Sequence, residues 1–124
     1  MHAVIETSIF LRDCQHAAIS EEERIAIVGA IAAEPHKGEL IPGTGGARKR
    51  RFAGRGKGKS GGYRTVSYYA ADDVPVLLLA LIDKGERADL PKAEQNALRE
   101  RLSRYAQTYR EGAMRQAQIM RGRS

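Results

Sequence analysis

With 124 residues, 42% of them apolar and 29% charged, the chain has the size and composition of one folded domain, and is too short for two independently stable cores. One cysteine excludes a disulfide framework and a cysteine-based metal site, and His2, His16 and His36 are too scattered to suggest a ligand cluster. No stretch approaches the ~18 consecutive apolar residues of a membrane span, and the opening MHAVIETSIF lacks a basic-then-apolar leader pattern, so a cytoplasmic location is expected. The net charge of +6 is unevenly spread: eight lysines and arginines and no acid lie between positions 40 and 71, and removing them from the total of 21 leaves 13 basic against 15 acidic residues. A cationic block without carboxylates suits a phosphate backbone.

In chain order, residues 3–6 (AVIE) read as a short strand. It runs into a helical stretch over 7–17, with Ile9, Phe10 and Cys14 available for one face, Cys14 as a core or helix residue. Ser20-Glu21-Glu22-Glu23 forms a capping box, the Ser20 hydroxyl accepting the Glu23 amide and the Glu23 side chain returning to Ser20, so a second helix starts there. Ile25, Val28, Ile31 and Ala32 recur at helical spacing until Pro35 and Gly38 end the pattern, near residue 33 or 34. Turn residues Pro42, Gly43, Gly45 and Gly46 precede a strand over 47–53, whose alternation puts Lys49 and Arg51 on one face and Arg48, Arg50 and Phe52 on the other. A glycine-lysine loop over 54–62 joins it to a strand over 63–70, in which Arg64, Val66 and Tyr68 share a face. Of the adjacent Tyr68 and Tyr69, only one can face a base, because neighbouring strand side chains point oppositely.

After the Asp72-Asp73 turn, residues 74–82 (VPVLLLALI) form an apolar run expected of a central strand covered on both faces, with Pro75 at its start. From Pro91 onward, Leu98, Leu102, Tyr105 and Tyr109 mark one side of a long amphipathic helix, with Asp89 as its cap. Residues 113–124 read as a basic tail expected to fray. The order β-α-α-β-β-β-α predicts an α+β domain over residues 1–112, with a mostly antiparallel sheet and helices packed on one face.

The segments GTGG-x-RK-x-R, GKGK-x-GGYR and DK-x-E-x-x-DL occur in that order from Gly43 to Leu90. In them the chain resembles the RelE/ParE superfamily of toxins from type II toxin-antitoxin systems, especially its HigB-like branch, and the resemblance spans most of the chain. It implies a RelE-like fold and a ribosome-dependent endoribonuclease that cuts messenger RNA in the decoding site. It also implies no cofactor, no metal, and inhibition by a helix-turn-helix antitoxin of the HigA-like type. Carried over by position, the family's basic-strand residues fall on Lys49 and Arg51, its hairpin arginine on Arg64 and its post-strand lysine on Lys84, with Arg48 as a neighbour. Three positions depart from the family's pattern: an apolar site in the basic strand is Arg50, a frequent tyrosine is Ile82, and a polar or basic site is Gly85. Loss of the tyrosine removes a group able to stack a base or donate a proton.

RNA supplies its own nucleophile, the ribose 2′-hydroxyl, so a protein can assist cleavage by aligning atoms, stabilising phosphorane charge and moving protons. Arg51 and Arg64 suit forked contacts to phosphate oxygens, and Lys49 and Lys84 are the proton-transfer candidates. Arg48, Arg50, Arg55, Lys57 and Lys59 are expected to contact RNA or the ribosome; the loop lysines sit on too yielding a support for transition-state chemistry. Glu86 and Asp89 could orient Lys84 or Arg87, but a carboxylate beside a strand-helix junction at least as readily caps the helix, the role favoured for Asp89. The glycine series lacks the lysine-hydroxyl ending of a nucleotide loop. Arg99, Arg101 and Arg104 are offset by Glu94, Glu100 and Glu111, the pattern of a solvated face. Two other functions compete: a ParE-like inhibitor of DNA gyrase and a non-catalytic RNA-binding module.

Overall fold

The computed structural model describes residues 1–54, 62–83 and 90–122. Strand β1 (Val4–Glu6) leads into helix α1 (Ser8–His16) and helix α2 (Glu21–Ala33). Strands β2 (Glu39–Leu40), β3 (Ala47–Phe52), β4 (Tyr63–Tyr68) and β5 (Val76–Asp83) follow, and helix α3 (Lys92–Gly122) closes the order. The Thr7 hydroxyl accepts the Phe10 amide at 3.3 Å to start α1, and the Ser20 hydroxyl accepts the Glu23 amide at 3.1 Å to start α2. Both caps satisfy amides that a helix leaves unbonded in its first turn.

The strands make one sheet in the order β1-β5-β4-β3-β2, antiparallel except for β1, which runs parallel to β5 in the register Val4↔Val76. Five of the six β4 residues are buried, as a central strand requires. Between β4 and β5, Val66 pairs with Ala80 but Ser67 with Leu78, so Leu79 is an extra residue. This bulge keeps both Leu79 and Ala80 in one apolar cluster while Leu81 turns to the other.

The two faces are covered differently. Phe10 and Cys14 of α1 and Ile27 and Ile31 of α2 pack with Tyr63, Val76, Leu78 and Leu81 on the first face. On the second face, Leu102 of α3 joins Ile41, Ala47, Val66, Leu79, Ala80, Ile82 and Leu90. The expectation of helices on one face therefore holds for α1 and α2 and is corrected for α3. A β5 that is apolar on both sides needs a helix against each.

Strand β2, which has only two residues, was not expected from the sequence. The expected frayed tail is instead helix as far as Gly122, with residues 113–122 exposed. Gly112 does not stop it, since one glycine weakens a helix by only about 1 kcal/mol relative to alanine. Near its middle α3 is tied down by the Tyr105 hydroxyl, which donates to the Pro75 carbonyl at 2.8 Å, and by Arg110, whose Nε and Nη2 reach the Asp73 carboxylate at 2.7 and 2.8 Å.

Candidate active site

Away from Leu102 and its cluster, residues of β2, β3 and β4 line a hollow. The turn at residues 41–46 sets the register there. Thr44, fully buried, donates its hydroxyl to the Ile41 carbonyl at 2.7 Å and accepts the Ala47 amide at 3.1 Å, while the Ile41 amide bonds the Ala47 carbonyl at 2.8 Å. Gly43, Gly45 and Gly46 take positive φ angles of 81°, 79° and 123°, which suit glycine far better than other residues. The consequence is an antiparallel pairing that puts Glu39 opposite Lys49 and Leu40 opposite Arg48.

Gly38 makes that approach possible. Its φ is +119°, and a Cβ there would stand 2.6 Å from the Lys49 carbonyl oxygen. Across the next pair, Lys49 faces Val66 and Arg51 faces Arg64. Pleating therefore aims Glu39, Lys49, Arg51 and Arg64 to one side, where with Gly38 they line a hollow of about 240 Å³. Arg64 is 8% exposed, so its guanidinium is held by surrounding structure; Arg51 lies in solvent. Lys49 Nζ sits 4.0 Å from Glu39 Oε2, the carboxylate side chain being 83% exposed and the lysine side chain 24%.

Three of the expected active-site cations thus meet at one hollow. Lys84, the fourth, lies outside the described residues, as do Arg55, Lys57, Lys59, Gly85, Glu86 and Asp89. Arg48 and Arg50 leave β3 on the opposite face, as strand alternation predicts. Arg50 Nη1 donates to the Ala30 carbonyl in α2 at 3.1 Å and its guanidinium stacks 5.0 Å from the Phe52 ring centroid. Arg48 Nη1 approaches the Gly38 carbonyl at 3.4 Å. These contacts join β3 to its neighbours.

Neither adjacent tyrosine reaches the hollow: Tyr68 packs edge-on to Tyr105, and Tyr69 stacks edge-on to His2 and bonds Asp72. Ile82 is buried at 1% exposure in the second apolar cluster, where a phenol in its place would have to displace core. Cys14 is buried in the first cluster, and desolvation pushes its thiol up to about 11, the behaviour of a packing residue rather than a nucleophile.

Glu39 was missed. It stands just outside the acid-free block that drew attention, and the signal that could have found it is hairpin arithmetic: folding the chain about residues 41–46 brings 39 against 49.

Among the described residues, no group of three or more His, Cys, Asp or Glu side chains could hold a metal ion, and no helix is long and apolar enough to cross a membrane. Fold and site together define a class: a small α+β domain whose sheet presents a hollow lined, among the described residues, by three cations and one carboxylate. Residues 2–121 match the family described as RelE toxin of the RelE / RelB toxin-antitoxin system. The chain belongs to that family. Among solved structures it is similar to a doubly substituted mutant of the E. coli toxin RelE in the free state, at 14% identity, covering 66% of this chain and 82% of that one, with a TM-score of 0.47.

Proposed function

We propose that this toxin is a ribosome-dependent endoribonuclease that cleaves messenger RNA by driving a ribose 2′-hydroxyl onto the adjacent phosphorus. The observation that carries the reading is the convergence of Lys49, Arg51 and Arg64 on one hollow, fixed by strand register rather than by loop placement. Arg64 and Arg51 grip the scissile phosphate through paired N–H donors and stabilise the added charge as the phosphorane forms. Lys49 lies beside them as a proton-transfer and charge-stabilising group. Lys84 is proposed as a fourth cation, with Arg55, Lys57 and Lys59 contacting ribosomal RNA. An antitoxin of the helix-turn-helix, HigA-like type is proposed as the inhibitor.

Inducing the chain in cells and mapping messenger RNA ends tests the reading. New ends inside translated codons, lost with Arg64→Ala, are expected. DNA damage without such ends would replace the nuclease by a gyrase inhibitor, and growth arrest with neither would leave an RNA-binding module.

A further inference from the structure

We infer that Glu39 is the general base of the cleavage reaction, the group that takes the proton from the attacking 2′-hydroxyl. This rests on the nuclease reading above and names a residue on which that reading did not depend. The described residues of the hollow supply three cations and one carboxylate. Guanidinium groups do not give up their protons in proteins, so Arg51 and Arg64 can bind and neutralise but cannot accept. An ammonium is likewise a donor until it loses a proton. Glu39 is the side chain lining the hollow that carries open acceptor lone pairs in its ionised form.

Its placement is built rather than incidental. The buried Thr44 and the three left-handed glycines set the β2–β3 register, and Gly38 lets the backbone of β2 close onto the Lys49 carbonyl. Glu39 is therefore the direct cross-strand neighbour of Lys49, on the face shared with Arg51 and Arg64. Its ion pair with Lys49 is long, at 4.0 Å, and its side chain is 83% exposed. A pair of that kind adds little to stability, and its carboxylate remains open to a substrate hydroxyl.

The chemistry balances with the groups present. The 2′-O–H proton passes to a Glu39 carboxylate oxygen as the 2′-oxygen bonds to phosphorus. The bond from phosphorus to the 5′-oxygen breaks, and that oxygen takes a proton from a lysine ammonium. The products are a 2′,3′-cyclic phosphate and a 5′-hydroxyl. Water then collects the proton from Glu39 and returns one to the lysine, and nothing is oxidised or reduced.

The test is single-turnover cleavage of ribosome-bound message by the parent, Glu39→Gln and Glu39→Asp, with thermal melts as the folding control. It is repeated on a message carrying sulfur in place of the 5′ bridging oxygen, whose departure needs no proton. Glu39→Gln is expected to fold like the parent and to cleave slower by about 10²-fold or more on both messages, and to lose the acidic limb of the parent's pH–rate profile, with Glu39→Asp restoring part of the rate. Parent-like or faster cleavage by Glu39→Gln would overturn the inference while leaving the nuclease intact, making Glu39 only an ion-pair partner of Lys49. Full recovery on the sulfur message would also overturn it, since Glu39 would then act at the leaving group. Absence of cleavage by the parent on both messages would overturn the nuclease reading and this inference with it.

Discussion

The two faces of the sheet take side chains from the same strand and use them in opposite ways. On the first face, Arg50 is spent on structure, bonded to the end of α2 and stacked on Phe52, above a core of Phe10, Ile31, Val76 and Leu78. On the second, Arg51 and Lys49 line a hollow with Glu39 and Arg64. Consecutive basic residues therefore differ in surroundings because the pleat alternates them, not because their chemistry differs. A run of like charges is one patch by composition; in the folded strand it is two half-patches on opposite faces.

The contrast can be broken at several points. The largest effect is expected from Phe10→Ala, which removes a fully buried ring from the first face and should cost about 3–5 kcal/mol in chemical denaturation. The cleavage rate per folded molecule should survive; a comparable loss of rate in the folded fraction would show that the faces are not separable. Next comes Arg64→Ala on the second face, expected to slow cleavage by about 10²–10³-fold, as loss of a transition-state donor does. Arg64→Lys, which keeps the charge but not the fork, should recover part of it, and parent-like rates in both variants would remove the hollow from the mechanism.

The comparison is sharpened by neighbours. Arg50→Met should lower stability by about 1 kcal/mol or somewhat more, by leaving the Ala30 carbonyl without its charged donor, with little change in cleavage. Arg51→Met should do the reverse, and equal phenotypes would contradict the division of β3 by face. The smallest effect concerns the far end of the second face. Arg110 holds the Asp73 carboxyl below its ordinary value of 3.8 through paired hydrogen bonds. Because the folded-state value is the lower one, the stabilisation is complete above the unfolded value and is lost as pH falls through the folded one. Parent and Asp73→Asn should therefore differ slightly in melting temperature at pH 7 and converge under strong acid. A gap that persists there would assign the tie to something other than the charged carboxylate.

How legible was all this beforehand? Helix starts were, because caps are local: Thr7 and Ser20 each need only an amide three residues ahead. So was the division of Lys49 and Arg51 from Arg48 and Arg50, since alternation follows from strand geometry alone. The hydrogen bond from Arg50 to the Ala30 carbonyl was not legible, because sequence shows that a residue is basic but not which distant carbonyl lies within its reach. The two-residue β2 failed for want of length: it has no periodicity of its own and exists only as the partner of β3. Glu39 was lost with it. The helix beyond Gly112 was underread because a glycine and a basic composition suggest an end that the preceding turns override.

Composition, charge clustering and alternation determined by themselves that this is one small α+β domain with a cationic strand face, and its motifs carried the family resemblance, because those properties depend on residue order over a few positions. Tertiary structure alone decided that α3 takes the second face, that Arg50 serves α2, and that a glutamate outside the basic block stands beside Lys49. Each of these depends on register and on which surfaces remain to be covered, and both are settled only when distant segments close on one another.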